Sequence, residues 1–367
     1  MYKILISGYY GFNNIGDESV LRAVVENLRA RLPDIEITVL SHSPAETAEK
    51  FGVRAVPRMS PAAILREVSR CDLLISGGGS LLQDATSSKS IHYYLSIIHL
   101  ALLLRKKVFI YSQGIGPIYD PQNRKRTARA LKKVHGIVVR DEGSRQLLEQ
   151  IGVPAERIVV TADPVLRIDR PELDKGREIL TREGCDRSDG RPLIGWAVKE
   201  RNPNSRFAGE VERCIRWLGE KYHARCVLIP FHYEEDRAVA VQLAQRLKDQ
   251  SVVCIRSKHL SDETLSIIGN MDFLVGVRLH SLIYAAVMDV PMLGISYDPK
   301  VDAFLHSVGQ QAVSATGEFT LERFQPAFEQ AWDSRERIRT EVAARRNELQ
   351  KKLNTNEDMI AALIHQG

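Results

Sequence analysis

Residues 3 to 18 read Lys3-Ile4-Leu5-Ile6-Ser7-Gly8-Tyr9-Tyr10-Gly11-Phe12-Asn13-Asn14-Ile15-Gly16-Asp17-Glu18 and pass from a short apolar run through a glycine-rich loop into a helical pattern. A run of this length and composition predicts a buried strand. Glycines after a strand let backbone amides approach a ligand closely, and the start of a helix attracts anions. The stretch therefore predicts a strand, a binding loop and a helix.

The same succession is repeated along the chain. Short apolar runs alternate with amphipathic segments such as residues 17–31 and 91–105. This order predicts an α/β fold with a parallel, doubly wound sheet, whose functional loops lie at the carboxyl ends of the strands. The predicted strands are residues 3–7, 36–41, 72–76, 108–112, 136–140, 157–161, 193–198, 225–229, 252–255, 273–276 and 291–296.

The pattern lapses between residues 167 and 192, in a polar stretch that contains Gly184, Gly190 and Pro192. A domain boundary belongs in such a stretch. We expect two Rossmann-like domains that face each other across a cleft. The expected division is an N-terminal domain (1–170), a linker (171–191), a C-terminal domain (192–318) and a C-terminal helical segment (319–367).

Composition excludes several classes of protein. An apolar content of 44% in 367 residues can fill a large core, which excludes disorder, and a net charge of +5 spread over this length does not indicate nucleic-acid binding. The five cysteines lack the spacing of a metal site. Residues 97–104 are too short to span a bilayer, which takes about 20 residues, and Met1 leaves no room for a secretion signal before the first strand. We therefore expect a cytoplasmic protein.

Three loops that follow predicted strands are candidate ligand loops: residues 8–18, 77–84 and 113–117. All three lie at one edge of the predicted sheet, which favours a ligand site there. Asp17 is interpreted either as the N-cap of the following helix or as a ligand or general base for an acceptor hydroxyl. The three glycines Gly77, Gly78 and Gly79 allow the close approach of a ligand, or alternatively only a tight turn.

Cationic side chains follow other predicted strands. Arg140 can bind an anion by two parallel hydrogen bonds, although an ion pair with Asp141 is the alternative. Arg278 and His280 stand at a strand-to-helix turn that favours anions, and a neighbouring arginine tends to lower the pKa of a histidine. A histidine that titrates near neutrality suits proton transfer, although a packed core histidine is the alternative for His280. Lys300 would add a third cation, unless it is a solvated surface lysine.

Residues 123–133 carry six basic side chains and no acid. Ala128, Leu131 and Val134 recur at helical spacing, so one narrow face can pack while the charges cover the rest. A solvated helix face is the usual interpretation. Attraction to anionic lipid headgroups is the alternative.

Several spaced motifs together resemble the bacterial polysaccharide pyruvyltransferases, from about residue 3 to about residue 305. The closest likeness is to the cell-surface anchoring branch, and residues 297–300, Tyr-Asp-Pro-Lys, support that branch. The motifs are Gly8-Tyr9-Tyr10-Gly11 with Asn14, Gly16, Asp17 and Glu18; Gly77-Gly78-Gly79-Ser80 with Gln83 and Asp84; Gln113-Gly114-Ile115-Gly116-Pro117; Arg140-Asp141; and Arg278-Leu279-His280-Ser281.

The resemblance implies a GT-B-like fold, phosphoenolpyruvate as donor and an acceptor that contains N-acetylmannosamine on a lipid-diphosphate carrier, with transfer of a pyruvyl ketal on the cytoplasmic side of the membrane. Peripheral contact with that membrane is expected. By analogy with GT-B transferases, the C-terminal helical segment is expected to pack back on the N-terminal domain. No metal and no cofactor are expected, because side chains already meet the charge of the donor.

In family members the Arg-Leu-His element lies at the donor site, so the resemblance assigns Arg278 and His280 to it. Arg140 and Lys300 are added as further donor cations, since a carboxylate and a phosphate close together require two or three fixed positive charges. His280 is the expected acid and Asp17 the expected acceptor base. The residues expected to contact the acceptor are Gly11, Asn14, Gly16, Glu18, Gly78, Gly79, Ser80, Gln83, Asp84 and His232.

Two other functions stay open from the sequence. A GT-B glycosyltransferase that uses a nucleotide sugar shares the same fold, although a recognisable C-terminal Glu motif for the nucleotide ribose is lacking. A non-catalytic two-lobed protein that binds anions is the second, and most such proteins are exported.

Overall fold

The computed structural model describes residues 1–85, 88–247 and 252–365, so the last two residues of the expected segment 319–367 lie outside the described residues. The chain divides into two compact units. The first unit comprises residues 1–168 and 349–367, and the second comprises residues 169–348. In the described part, no helix has both the length and the apolarity needed to cross a bilayer.

The first unit is built around a seven-stranded parallel sheet, counted over its described residues. Its strands are β1 (Tyr2–Ser7), β2 (Ile35–Ser41), β3 (Arg54–Pro57), β4 (Leu73–Gly77), β5 (Lys107–Gln113), β6 (Gly136–Val139) and β7 (Ile158–Val160). Its helices are α1 (Ile15–Arg31), α2 (Pro44–Phe51), α3 (Pro61–Arg70), α4 (Ser88–Leu103), α5 (Pro121–Leu131) and α6 (Glu142–Gln150). The strand order is β3-β2-β1-β4-β5-β6-β7.

The second unit holds a parallel sheet of six described strands in the order β10-β9-β8-β11-β12-β13. The strands are β8 (Leu193–Ala197), β9 (Arg225–Leu228), β10 (Val252–Cys254), β11 (Phe273–Gly276), β12 (Met292–Ser296) and β13 (Ala312–Ala315). The helices are α7 (Leu173–Arg182), α8 (Arg206–Tyr222), α9 (Tyr233–Arg246), α10 (Ser261–Gly269), α11 (Leu279–Val287), α12 (Pro299–Ser307), α13 (Leu321–Asp333) and α14 (Arg335–His365), whose residues from 349 onward belong to the first unit.

In each sheet the first strand lies in the interior: the next two strands along the chain are added on one side of it, and the later strands are added on the other side. The strand order therefore reverses beside the first strand. In the first unit, β1 lies between β2 and β4, with Ser7 level with Leu40 on one side and with Ser76 on the other. In the second unit, β8 lies between β9 and β11. Ligands of doubly wound folds bind at the carboxyl ends of the strands at such a reversal. This position is occupied by the loops that follow β1 and β4, and by those that follow β8 and β11.

The α/β class, the two sheets and the predicted strands are confirmed, with ends that differ by at most one residue. Strands β3 and β13 are not among the predicted strands. Both are short edge strands with few buried residues, so neither shows the apolar run of an interior strand.

The expected linker, residues 171–191, is wrong in its first half because it contains α7, which packs on α10 of the second unit. The backbone amide of Gly176 donates to Ser266 Oγ (2.7 Å). A Cβ atom at Gly176 would lie 2.3 Å from the backbone of Ser266, so the two helices approach too closely for a larger residue. The polar composition around α7 is typical of a linker, so the sequence did not indicate that this segment forms a packed helix.

The C-terminal segment is also divided differently from the expectation. Residues 319–348 belong to the second unit, where Phe324 packs on Trp196 and Phe328 on Phe273 with ring centroids 5.5 and 5.1 Å apart. Only the end of α14 belongs to the first unit. There Glu357, which is 3% exposed, accepts a hydrogen bond from Arg167 (2.8 Å).

We predict that Gly176→Ala lowers the free energy of unfolding by about 1–3 kcal/mol, because the new methyl group forces α7 away from α10. Gly209→Ala in α8 is the matched control, since nothing lies within 4 Å of a Cβ atom there. It should stabilise the helix by about 0.5–1 kcal/mol. Urea denaturation followed by circular dichroism measures both, and equal effects of the two substitutions would contradict the packing described here.

Candidate functional site

Three cationic side chains follow neighbouring strands of the second unit. Lys199 follows β8, Arg278 follows β11 and Lys300 lies at the start of α12, after β12. The strands are in register, with Gly276 level with Ala197 on one side and with Gly294 on the other. The amide of Val277 donates to the carbonyl of Ala197 (2.9 Å), which ties the two loops together where they leave the sheet.

Arg278 is oriented by a buried carboxylate. Its Nε and Nη2 atoms donate to the two oxygens of Asp236 at 3.0 and 2.5 Å, and Nη2 lies 3.4 Å from Glu235. Asp236 is 3% exposed and also accepts the backbone amides of Phe231 and His232. Burial lowers the pKa of Arg278, but Asp236 and the other anionic neighbours outweigh it and raise the pKa overall. The guanidinium is therefore fixed in place and fully charged.

Lys199 is the cation that the sequence analysis missed. Its Nζ atom lies 3.4 Å from the centroid of the Tyr297 ring, and Lys300 Nζ lies 5.2 Å from the same ring. Burial, followed by repulsion from Arg278 and Lys300, lowers the pKa of Lys199 to about 8. Its position two residues after the first strand of the second series was the available signal, because the reversal of a doubly wound sheet lies beside that strand.

Lys300 is partly buried and lies 3.4 Å from Asp298 Oδ2, so it is not a fully solvated lysine. His280 is the second residue of α11, and its ring is partly buried. The helix begins tightly against β11, since a Cβ atom at Gly276 would lie 2.7 Å from Ser281 Oγ. His280 thus occupies the anion-attracting end of α11, next but one to Arg278.

His232 caps α9 in the same unit. The amide of Glu235 donates to its Nδ1 atom (3.4 Å), beside the carboxylate that holds Arg278. The structure therefore brings four of the predicted residues to one edge of the second sheet: His232, Arg278, His280 and Lys300.

The loop after β1 carries the predicted acidic pair. Glu18, which is buried, accepts the amide of Gly11 (2.8 Å) and so fixes the glycine loop from within. The N-cap of α1 is Asn14, whose Oδ1 accepts the amide of Gly16 (3.1 Å). The interpretation of Asp17 as the N-cap is therefore wrong, because Asp17 is the third residue of the helix.

The loop after β4 packs against the same helix. Gly78 has a φ of +60° and a Cβ atom there would lie 1.7 Å from Val20, so this glycine is required for packing. A Cβ atom at Gly79 would lie 2.8 Å from Asp17 Oδ1. The Asp17 carboxylate thus faces the glycine loop across the reversal of the first sheet, which supports its role at a ligand site.

Arg140 is held inside the first unit. It is 8% exposed, donates to Asp163 (3.0 Å) and to Ser80 Oγ (3.0 Å), and lies 3.5 Å from Asp141. The alternative ion pair with Asp141 is therefore present, and a closer one joins Asp163. Two carboxylates balance the charge of Arg140, and its bond to Ser80 makes it a positioning residue for the glycine loop. Its assignment to the donor stays a prediction.

The carboxylate of Asp84 accepts hydrogen bonds from the loop that precedes α5 and from the start of that helix. Its oxygens accept the amides of Tyr119 (2.7 Å) and Asp120 (3.1 Å) and the side chain of Asn123 (3.0 Å). Burial raises the pKa of Asp84, but these hydrogen bonds outweigh it and lower the pKa overall. Asp84 therefore orders its own loop, and the structure does not support it as an acceptor ligand. Gln83 precedes it and is partly buried.

Over residues 1–85, 88–247 and 252–365, no group of three His, Cys, Asp or Glu side chains has the arrangement of a metal site. The predicted residues fall into two sets. Those at the loops of the first sheet are Gly11, Asn14, Gly16, Asp17, Glu18, Gly78, Gly79, Ser80, Gln83, Asp84 and Arg140, and those of the second sheet are His232, Arg278, His280 and Lys300.

Comparison with known proteins identifies the family. The family model of the polysaccharide pyruvyl transferases matches residues 14–299. The chain belongs to this family. A curated relative of this pyruvyltransferase is the amylovoran biosynthesis protein AmsJ of Erwinia amylovora, which is 19% identical over 84% of this chain and 86% of the relative.

Solved structures confirm the fold of the pyruvyltransferase. The HepE protein of Anabaena, solved with UDP-glucose, matches with a TM-score of 0.66 and 11% identity over 100% of both chains. A putative UDP-N-acetylglucosamine 2-epimerase of Listeria monocytogenes matches with a TM-score of 0.69 and 13% identity, over 100% of this chain and 97% of the other. At these identities the likeness shows a GT-B-like fold of two Rossmann-like domains.

We predict that the affinity of the group formed by Lys199, Arg278 and Lys300 for sulfate falls as the pH rises through about 8, because Lys199 then loses its positive charge. An arginine stays protonated throughout, so Lys199→Arg should show a flat affinity between roughly pH 7 and 9. Isothermal titration calorimetry measures both. Lys175→Arg, at an exposed lysine of the same unit, should behave like the wild type. A wild-type affinity independent of pH would contradict a role for Lys199 in binding the anion.

Proposed function

We propose that this pyruvyltransferase transfers pyruvate from phosphoenolpyruvate to an N-acetylmannosamine residue of a lipid-diphosphate-linked cell-wall polysaccharide precursor, on the cytoplasmic side of the membrane. The product is a 4,6-linked pyruvyl ketal, and phosphate is released. The observation that carries the proposal is the group of Lys199, Arg278 and Lys300 beside His280, at the end of three adjoining strands.

The electrostatics of this group favour a multiply charged anion. Several carboxylates lie nearby, yet repulsion from Arg278 and Lys300 contributes more to the Lys199 pKa than attraction by Asp298 and Asp236 does. A donor with a carboxylate and a phosphate would relieve this repulsion, and Asp236 would keep the Arg278 guanidinium in a fixed plane for two parallel hydrogen bonds.

The reaction needs one acid and one base. His280, protonated by exchange, gives a proton to the methylene carbon of the donor, and the acceptor hydroxyl forms a bond to C2. The C2–O bond to the phosphate group then breaks, and the second sugar hydroxyl closes the ketal at C2. Of the two hydroxyl protons, one replaces the proton lost from His280 and the other leaves with phosphate. Lys199, Arg278 and Lys300 stabilise the departing charge.

The acceptor is assigned to the loops of the first sheet. Asp17 would orient or deprotonate the attacking hydroxyl, and Gly79 leaves its carboxylate accessible to a sugar because any side chain at that position would collide with it. Glu18 fixes the loop after β1 through the amide of Gly11, and Arg140 fixes the loop after β4 through Ser80. The identity of the acceptor sugar is supported by residues 297–300, Tyr-Asp-Pro-Lys, through the resemblance to the cell-surface anchoring branch.

The direct test is mass spectrometry of the product. The enzyme is incubated with phosphoenolpyruvate and a synthetic lipid-diphosphate disaccharide that ends in N-acetylmannosamine. We expect an acceptor heavier by the mass of one pyruvyl ketal, together with the release of one equivalent of phosphate. UDP-glucose in place of phosphoenolpyruvate should leave the acceptor unchanged, and a glycosylated acceptor in that reaction would overturn the proposal in favour of sugar transfer.

We predict that His280→Ala lowers the turnover number by about 10²–10⁴-fold with phosphoenolpyruvate affinity within threefold (roughly) of wild type, since a general acid contributes to the transition state. His306→Ala, at an exposed histidine of α12, is the matched control and should retain wild-type turnover. Near-normal turnover of His280→Ala would remove this residue from the proton-transfer step. Asp17→Asn should lower turnover without weakening donor binding.

A further inference from the structure

The charge of the chain is concentrated in one segment. Residues 85–140 contain eleven Lys and Arg residues and a single acid, Asp120, so their net charge is +10, whereas the whole chain carries +5. The remainder is therefore net negative. The eleven are Lys89, Arg105, Lys106, Lys107, Arg124, Lys125, Arg126, Arg129, Lys132, Lys133 and Arg140.

The structure places six of these side chains on one surface element. In α5 and the turn after it, Ala128, Leu131 and Val134 are buried, as the sequence predicts. The basic side chains of the same segment are exposed. We call this surface the basic face, defined by Arg124, Lys125, Arg126, Arg129, Lys132 and Lys133.

The neighbouring helix extends the basic face without adding acids. Helix α4 packs beside α5 and contains no Asp or Glu. Its exposed side chains include His92, which lies 3.4 Å from Arg126 Nη1, and His99. The surface of the two helices therefore presents cations and neutral groups only, apart from Asp120 at the N-cap of α5.

Contacts within the protein do not explain the charge. Among the described residues, the side chains of Lys125, Arg129 and Lys133 make no hydrogen bond and no ion pair. Lys125 and Arg129 lie four residues apart in α5, so they point from the same side of the helix, and Lys133 lies in the turn that follows it. Like charges held together repel one another and reduce stability, so an external anion gives this arrangement a function.

Two exposed apolar side chains accompany the cations. Tyr119, two residues before α5, is 68% exposed, and Leu103, the last residue of α4, is 78% exposed. Tyrosine and leucine beside a basic helix face are typical of segments that lie in the interface of a bilayer. A nucleic acid is a poorer fit, because successive bases stack on several aromatic side chains, whereas α5 itself contains none and Tyr119 offers a single ring beside it.

We propose that the basic face docks on the surface of a bilayer that contains anionic phospholipid. Attraction supplies the binding energy, at about 1 kcal/mol for each basic side chain near the surface. Docking itself does not depend on the donor or acceptor assigned above. Its use to the enzyme, which is to hold it where a lipid-linked acceptor is found, does rest on the proposed function.

The test is co-sedimentation of the full chain with vesicles of phosphatidylcholine alone or with roughly 30 mol% phosphatidylglycerol. We expect binding only to the second, weakened strongly when the salt rises from roughly 0.1 M to roughly 0.5 M. The triple variant Lys125→Gln, Arg129→Gln, Lys133→Gln should lower the partition coefficient about 100-fold. The matched control, Arg182→Gln, Arg206→Gln, Arg337→Gln, removes the same charge from exposed sites of the second unit and should bind like wild type.

Three results would overturn the proposal. They are equal binding to both kinds of vesicle, equal losses in the two triple variants, and tighter binding to single-stranded DNA than to the anionic vesicles at the same concentration of negative charge. Circular dichroism of each variant shows that the fold is retained. Because the assay requires no turnover, its outcome is separate from that of the donor experiment.

Discussion

Every pair of neighbouring strands described in the two sheets is parallel, and this constraint organises the chemistry of the protein. Interior strands of a parallel sheet are covered on both faces, so β4, β8, β11 and β12 consist of buried residues throughout. Polar side chains are therefore confined to the ends. Because all carboxyl ends of a sheet lie at one edge, residues far apart in sequence, such as Lys199 and Arg278, are brought together.

The sequence was a good guide wherever the information was local. Apolar runs and glycine loops located the interior strands and the loops that follow them, including those of Asp17 and His280. It failed at the edge strands β3 and β13, which bury little, although it located the edge strands β7 and β10, and it failed at α7, whose polar surface resembles a linker. It also failed for partners: Asp163 lies 23 residues from Arg140, and Asp236 lies 42 from Arg278, so no local pattern reveals that each arginine is held by a carboxylate.

These carboxylates change how the arginines are interpreted. An arginine at the end of a strand is a candidate anion ligand. Arg140, however, donates hydrogen bonds to Asp163 and Ser80 and is buried within the first unit. Arg278 is also paired, yet it stands beside Lys199 and Lys300, and repulsion from Arg278 and Lys300 adds to burial in lowering the pKa of Lys199. The presence of further cations, rather than the arginine itself, distinguishes an anion site from a structural ion pair.

The two positively charged regions of the protein differ in burial, and therefore in how strongly salt screens their charges. The cations at the ends of β8, β11 and β12 are partly buried and ordered by carboxylates and by Tyr297, so salt screens them weakly and their geometry is fixed. The basic face is exposed, and the charges of Lys125, Arg129 and Lys133 are free to rotate on long side chains, so it suits a surface of many anions in no particular arrangement. Anion binding by the cations at the ends of β8, β11 and β12 should therefore persist at salt concentrations that abolish vesicle binding by the basic face. In the two proposals, a single small anion is thus recognised by position and an extended anionic surface by charge density alone.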